Sequence, residues 1–177
     1  MAKKRKFPVR VATVYCNGGC RAKKVPDESG EGESIACSYG CLGCGICEAA
    51  CKFDAIRLNE YGAAEVDEEK CIGCGACMRK CPRQIIHIRL QENCIVPLCS
   101  NLDKGFDAKT KTGARTVCDV SCIGCGICAK KCPADAISVV DFHAVIDEER
   151  CLSCGACAVS CPRGVIIDKR GLLTGVR

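Results

Sequence analysis

Apolar and polar positions alternate along this chain only in short bursts. Val9-Arg10-Val11-Ala12-Thr13-Val14-Tyr15 has the weak period of two that predicts a short strand. Asp54–Leu58 and Ala63–Asp67 flank Asn59-Glu60-Tyr61-Gly62, and together they predict a β-hairpin with its turn. Gln84–Leu90 predicts another short strand. Between the bursts lie polar stretches. Residues 21–34 are Lys, Pro, Asp, Glu, Ser and Gly and read as a loop. Cys94 to Val117 is rich in Lys, Thr and Gly and reads as a connection, its piece around Lys104–Ala114 as a mobile one. No run of about 20 apolar residues exists, so nothing here is expected to span a membrane.

What fills the gaps between bursts is cysteine, 22 of them in 177 residues. Cys41, Cys44, Cys47 and Cys51 have the spacing Cys-x2-Cys-x2-Cys-x3-Cys. The spacing returns at Cys71, Cys74, Cys77, Cys81, then at Cys122, Cys125, Cys128, Cys132, and again at Cys151, Cys154, Cys157, Cys161. Each run of this kind holds [4Fe–4S] clusters in bacterial ferredoxins. A cubane needs four thiolates, one for each iron, and three of them come from one tight loop. The residues between the third and fourth Cys suit a single helical turn, as in Glu48-Ala49-Ala50. Gly follows the second Cys every time, at Gly45, Gly75, Gly126 and Gly155, where the backbone must turn close to the cluster. The fourth Cys lies too far along to close its own cube and ligates the neighbouring one.

That rule gives a ligand map. Cluster one takes Cys41, Cys44, Cys47 and Cys81, and cluster two takes Cys71, Cys74, Cys77 and Cys51. Cluster three takes Cys122, Cys125, Cys128 and Cys161, and cluster four takes Cys151, Cys154, Cys157 and Cys132. Pro follows the fourth Cys at Pro82, Pro133 and Pro162, whereas Lys52 stands there in the first run. Zinc ribbons use two Cys-x2-Cys pairs, not triplets with a trailing Cys. A disulfide scaffold goes with a secretion signal, and no such pattern is visible. So many free thiols point to a reducing, cytoplasmic setting.

The runs also expose a duplication. Cys37 to Cys51 recurs 81 residues later as Cys118 to Cys132, and Cys71 to Cys81 recurs 80 residues later as Cys151 to Cys161. The flanks match: Val66-Asp67-Glu68-Glu69-Lys70 against Ile146-Asp147-Glu148-Glu149-Arg150, and Cys81-Pro82-Arg83 against Cys161-Pro162-Arg163. The expected fold class is therefore α+β. Two tandem ferredoxin-like (βαβ)2 modules, each with two [4Fe–4S] clusters, carry little regular secondary structure. The expected division is a basic N-terminal segment with a Cys-containing strand and loop (1–36), a first module (37–91), a Cys-containing linker (92–117), a second module (118–170) and a tail (171–177).

Composition adjusts this reading. Aromatics are 4% and Trp is absent, thin for an ordinary core. Cubanes would fill that space, so the metal-free chain is expected to be largely unfolded. The formal charge is +5. Four oxidised clusters with their thiolates contribute about −8, leaving the loaded chain near about −3. Nucleic acid is therefore not an expected partner. Lys3, Lys4, Arg5 and Lys6 read as a solvated tail, with peripheral membrane contact as the lesser alternative. His87 and His143 read as strand-face residues and not as ligands. No dinucleotide, P-loop, flavin or triad pattern appears.

Six cysteines lie outside the runs: Cys16, Cys20 and Cys37 in one half, and Cys94, Cys99 and Cys118 in the other. Each set is one thiolate short of a cubane. A set could use a non-cysteine ligand, hold a three-iron cluster, or recruit a sulfur from a run or from the other half. Buried free thiols are the plain alternative. The six are lower-ranked additional ligands, and the cofactor expectation is at least four [4Fe–4S] clusters.

Cys37-Ser38-Tyr39-Gly40-Cys41-Leu42-Gly43, the preceding Cys16-Asn17-Gly18-Gly19-Cys20, and Cys99-Ser100-Asn101-Leu102-Asp103-Lys104-Gly105 resemble the ferredoxin region of the B subunit of the Rnf electron-transport complex. The resemblance runs from about Val9 to Ile167. Members commonly begin with a membrane helix and a small iron–sulfur domain, neither of which is read here, and often lack a cysteine at the place of Cys44. The resemblance implies a relay of low-potential electrons between a ferredoxin or flavoprotein and another redox subunit. The alternative is an oxidoreductase subunit with a substrate-binding cluster at a three-cysteine site. A module with purely structural clusters ranks third.

Overall fold

The computed structural model describes residues 8–18, 24–26, 33–105 and 113–172. The basic tail, Cys20, most of the piece around Lys104–Ala114 and the last residues lie outside these. The elements follow the sequence bursts closely. Strand β1 (Arg10–Val14) comes first, then a short ladder of β2 (Lys24–Pro26) and β3 (Glu33–Ile35). That ladder lies within the stretch the sequence predicts as a loop. Helix α1 (Ile46–Ala49) precedes a hairpin of β4 (Ile56–Leu58) and β5 (Ala64–Val66). Helix α2 (Ala76–Lys80) and strand β6 (Ile86–Leu90) follow. A similar order then follows, with a helix where the first half has the β2–β3 ladder: β7 (Ile95–Pro97), α3 (Ala114–Val117), α4 (Ile127–Lys130), the hairpin β8 (Ile137–Val140) and β9 (His143–Ile146), α5 (Ala156–Ser160) and β10 (Ile166–Asp168). The result is a small α+β protein of two-stranded ladders and single-turn helices.

The long-range ladders bring the outlying strands in. β1 pairs antiparallel with β6, setting Arg10 against Leu90 and Val14 against Ile86. β7 pairs antiparallel with β10, setting Ile95 against Asp168 and Pro97 against Ile166. A strand from the segment 1–36 and a strand from the linker 92–117 therefore each complete a ladder with the strand that ends a half. Each fills the same role, and Pro97 takes the place of Val14. Pro is tolerated there because β7 is an edge strand.

Two cores result. Ala12, Val14, Ile56, Val66 and Ile86 pack with Cys47 and Cys77 in the first half. Ile95, Ile137, Ala144, Ala158 and Ile166 pack with Cys94, Cys128 and Cys157 in the second. Few of these side chains are large. The apolar walls are built to face sulfur and not one another.

Polar groups brace the first half and tie it to the second. Arg89 is buried and donates from Nε to Thr13 Oγ1 (2.7 Å), from Nη2 to Glu68 Oε1 (2.5 Å) and from Nη1 to the carbonyls of Leu90 and Asn93. Lys169, just past β10, reaches the same Glu68 at 3.8 Å. Asn93 Nδ2 donates to Glu148 Oε2, and Ser100 Oγ donates to the carbonyl of Tyr15. Residues 92–101 are thus packed between the halves.

Candidate metal centres

Each cysteine run is an extended loop that ends in a one-turn helix. The glycine after the second Cys caps that helix in the left-handed region, with φ of 71° at Gly45, 73° at Gly75, 71° at Gly126 and 73° at Gly155. A side chain there would be strained, so the tight return of the chain needs Gly. The glycine before the second Cys serves a different purpose. A Cβ at Gly73 would lie 2.6 Å from the carbonyl oxygen of Arg10. The loop there packs directly against β1.

Sulfurs from two runs line common small cavities. Cys41, Cys44, Cys47 and Cys81 line one small cavity, walled by Val14 and Ile86. Cys51, Cys71, Cys74 and Cys77 line a second, walled by Ala12 and Ile56. Cys122, Cys125, Cys128 and Cys161 line a third, walled by Ala144 and Ile166. Three sulfurs from one loop and one from the far run meet in each, a donor set of four thiolates that fits one cubane. Cys132, Cys157 and Cys161 pack on the second core, Cys151 is half-buried and Cys154 is exposed. Among the described residues no three His, Cys, Asp or Glu side chains draw in to the spacing of a single ion. Corners of a cubane stand further apart than ligands of one metal.

Burial makes a bare thiolate costly at these positions. Burial, with neighbouring sulfurs adding to it, pushes the Cys47 thiol up to about 11 and that of Cys157 up to about 12. Cys77 and Cys128 are raised for the same first reason. A buried thiolate needs a cationic partner, and iron supplies it. Backbone N–H groups already point at the sulfurs: Ala12 to Cys71 (3.3 Å), Ala64 to Cys41 (3.4 Å), Ala55 to Cys51 (3.4 Å) and Ala136 to Cys132 (3.3 Å). Such donors stabilise charge on a cluster's ligands and tune its potential. The second Cys of every run, Cys44, Cys74, Cys125 and Cys154, is exposed. Each centre thus keeps one corner near solvent.

The cysteines outside the runs separate into two kinds. Cys16, Cys37, Cys99 and Cys118 lie near the contact of the halves. Cys94 lies apart and bonds through its thiol to Asp168, whose carboxyl is held below the usual range chiefly by Arg170. Cys20 is outside the described residues. His87 sits on β6 with its ring edge-on to Tyr15, centroids 5.0 Å apart. His143 opens β9. Both line an open cleft of about 590 Å³ between the halves, with Arg83, Arg89 and Glu148. Backbone N–H groups at the sulfurs are expected from the tight loops, but the donors named here lie outside those loops, and the burial of Asn101 is not legible in the sequence. The donors are backbone groups of alanines, so no side-chain pattern could reveal them.

Comparison with known proteins points to the same class of cofactor. A family model described as a 4Fe-4S dicluster domain matches twice, at residues 40–85 and 121–165. A second model of the same description matches residues 63–133. The chain is 43% identical over 114 residues to the B subunit of the ion-translocating oxidoreductase complex of Methanosarcina acetivorans, covering 64% of this chain and 41% of that protein. It is 40% identical over 152 residues to the B subunit of the Na+-translocating ferredoxin:NAD+ oxidoreductase complex of Acetobacterium woodii, covering 80% and 44%. The proton-translocating counterpart from Clostridium ljungdahlii is 40% identical over 151 residues, covering 78% and 51%. The chain spans about half the length of the curated relatives it matches.

Proposed function

The chain belongs to the 4Fe-4S dicluster domain family, and on that premise we propose that it is an electron relay, an Rnf B-like polyferredoxin that passes low-potential electrons among several bound cubanes. Two dicluster matches and 22 cysteines give a chain that binds multiple [4Fe–4S] clusters, about four. The carrying observation is the convergence of three sulfurs from one run and one from its partner run in each of three cavities. Crossing sulfurs bind two clusters into one rigid unit. The fourth unit, Cys151, Cys154, Cys157 and Cys132, follows from the repeat.

The two modules take their edge strands from outside the cysteine runs. We assign β1 to β6 to the first module and β7 to β10 to the second. The clusters supply one-electron chemistry. The protein holds the thiolates, directs N–H groups at them and walls them from water with Val14, Ile56, Ile86 and Ile166. The exposed second Cys of each run marks where an electron would enter or leave. A ferredoxin or flavoprotein is the proposed donor and another redox subunit the acceptor; the names of two relatives state a ferredoxin:NAD+ oxidoreductase complex for those proteins. The proposed setting is the reducing cytoplasm that so many free thiols call for, with peripheral membrane contact as the lesser alternative; among the described residues no helix is long and apolar enough to cross a membrane.

Potentiometric titration followed by electron paramagnetic resonance tests the relay. It should give several reversible one-electron steps, and the reduced chain should pass electrons to a dye or a ferredoxin. Clusters that resist reduction at every accessible potential would count for a structural role instead.

A further inference from the structure

We propose a fifth cluster site, made by Cys16 and Cys37 from the first half and Cys99 and Cys118 from the second, lying between the two modules. It rests on the ligand map above, which leaves these four sulfurs unassigned.

Several contacts place them together. A Cβ at Gly40 would touch both Cys37 Sγ (3.5 Å) and Cys16 Sγ (3.7 Å). A Cβ at Gly18, two residues beyond Cys16, would lie 2.9 Å from Cys118 Sγ. Asn101, almost fully buried, donates from Nδ2 to Cys37 Sγ (3.4 Å) and from its backbone N–H to Cys99 Sγ (3.5 Å). One residue from the second half thus joins a sulfur of each half. Cys99 and Cys118 are themselves neighbours near Cys122, and Cys118 lies within electrostatic reach of both Cys37 and Cys16.

The arrangement is symmetric, which random burial of thiols would not produce. Val14 and Pro97 hold equivalent ladder positions, so Cys16 and Cys99 each lie two residues past the equivalent strand end. Cys37 and Cys118 each lie four residues before the first Cys of a run. The N–H of Cys41 bonds to Cys16, and the N–H of Cys122 donates to Cys99 Sγ at 3.3 Å. Arg83 Nη1 donates to the carbonyl of Ser38, and Arg163 donates to those of Cys118 and Ser121. Each Arg follows a Cys-Pro and braces the loop that brings in Cys37 or Cys118. Two sulfurs from each half make four, the number a cubane takes. All four are buried or half-buried, and Cys16 and Cys99 accept N–H bonds of the kind seen at the motif sulfurs.

The position gives the site a role. Cys16 lies beside Cys41 of cluster one, and Cys99 lies beside Cys122 of cluster three. A cluster here would connect the two pairs into a single conductor. It would also fasten the halves to each other, since neither half could bind it alone.

Native mass spectrometry of the anaerobically purified full chain tests the assignment. The wild-type chain should carry five [4Fe–4S] units, about 20 iron. Cys118→Ser and Cys99→Ser should each lose one unit and keep four, while Cys20→Ser and Cys94→Ser should keep five. Four units in the wild-type chain would overturn this site and leave the motif map standing. Fewer than four would overturn both. Loss of the fifth unit in Cys20→Ser but not in Cys99→Ser would overturn the four-sulfur set. If the serine variants do not fold, the wild-type count alone decides.

Discussion

The backbone N–H of Cys122 donates to the sulfur of Cys99, 3.3 Å away across 23 residues of sequence. Cys122 opens a cluster-binding run, whereas Cys99 belongs to no run. The bond makes the segment after β7 part of the second cluster environment and not a spacer. It also fixes which outlying cysteine of one half answers to which in the other.

Crossing of the fourth cysteine is tested by Cys132→Ser. Its sulfur sits in the third run, yet the account assigns it to the centre of Cys151, Cys154 and Cys157. That substitution should damage cluster four and spare cluster three, read as altered resonance and loss of about one iron or one cluster. Damage confined to the centre of Cys122, Cys125 and Cys128 would contradict the map.

Loop geometry gives an opposed pair of variants. Ser153 stands at φ 50° where the other runs place Gly43, Gly73 and Gly124, all with positive φ. Ser153→Gly should relieve about 1 kcal/mol of left-handed strain and lengthen cluster lifetime in guanidinium. Gly73→Ala would place a Cβ 2.6 Å from the Arg10 carbonyl oxygen and should shorten that lifetime, by about 2 kcal/mol of strain.

Arg89 carries the buried polar junction. Arg89→Ala leaves Glu68 and Thr13 without their main donor and should destabilise the loaded chain by about 3 kcal/mol, seen in denaturant-driven cluster loss. A double change with Glu68→Gln should cost less than the sum of the two single changes.

Thiol ionisation gives the loaded chain a pH trend. Burial first of all raises Cys47 to about 11 and Cys99 and Cys157 to about 12. Protons compete with iron for such sulfurs. Chelator-driven loss of iron should therefore be faster at about pH 6 than at about pH 9. Equal chelation rates across that range would contradict the assignment of these thiols as ligands.

Local signals carry most of the fold. The hairpin around Asn59-Glu60-Tyr61-Gly62 and the strand around Val11 are legible because alternation and turn residues act over a few positions. The runs are legible because a cubane demands a fixed spacing. The partners of β1 and β7 are not, since pairing of Val14 with Ile86 and of Pro97 with Ile166 depends on the whole chain closing up. Counting cysteines along the sequence suggests sets of three, with Cys20 and Cys94 included. Cys94 instead faces Asp168, and the equivalent ladder position in the first half, Val11, is an ordinary core residue. Asn101 stands in a segment that carries the resemblance, yet its role is not legible, since an asparagine in a polar stretch looks like a turn residue until both its donors are found against sulfur.

The most direct test of the central claim is iron, zinc and acid-labile sulfide analysis of the chain purified without oxygen. Iron and sulfide should come out in equal amounts, at least about 16 of each per chain, with little zinc. Stoichiometric zinc with little iron or sulfide would contradict it.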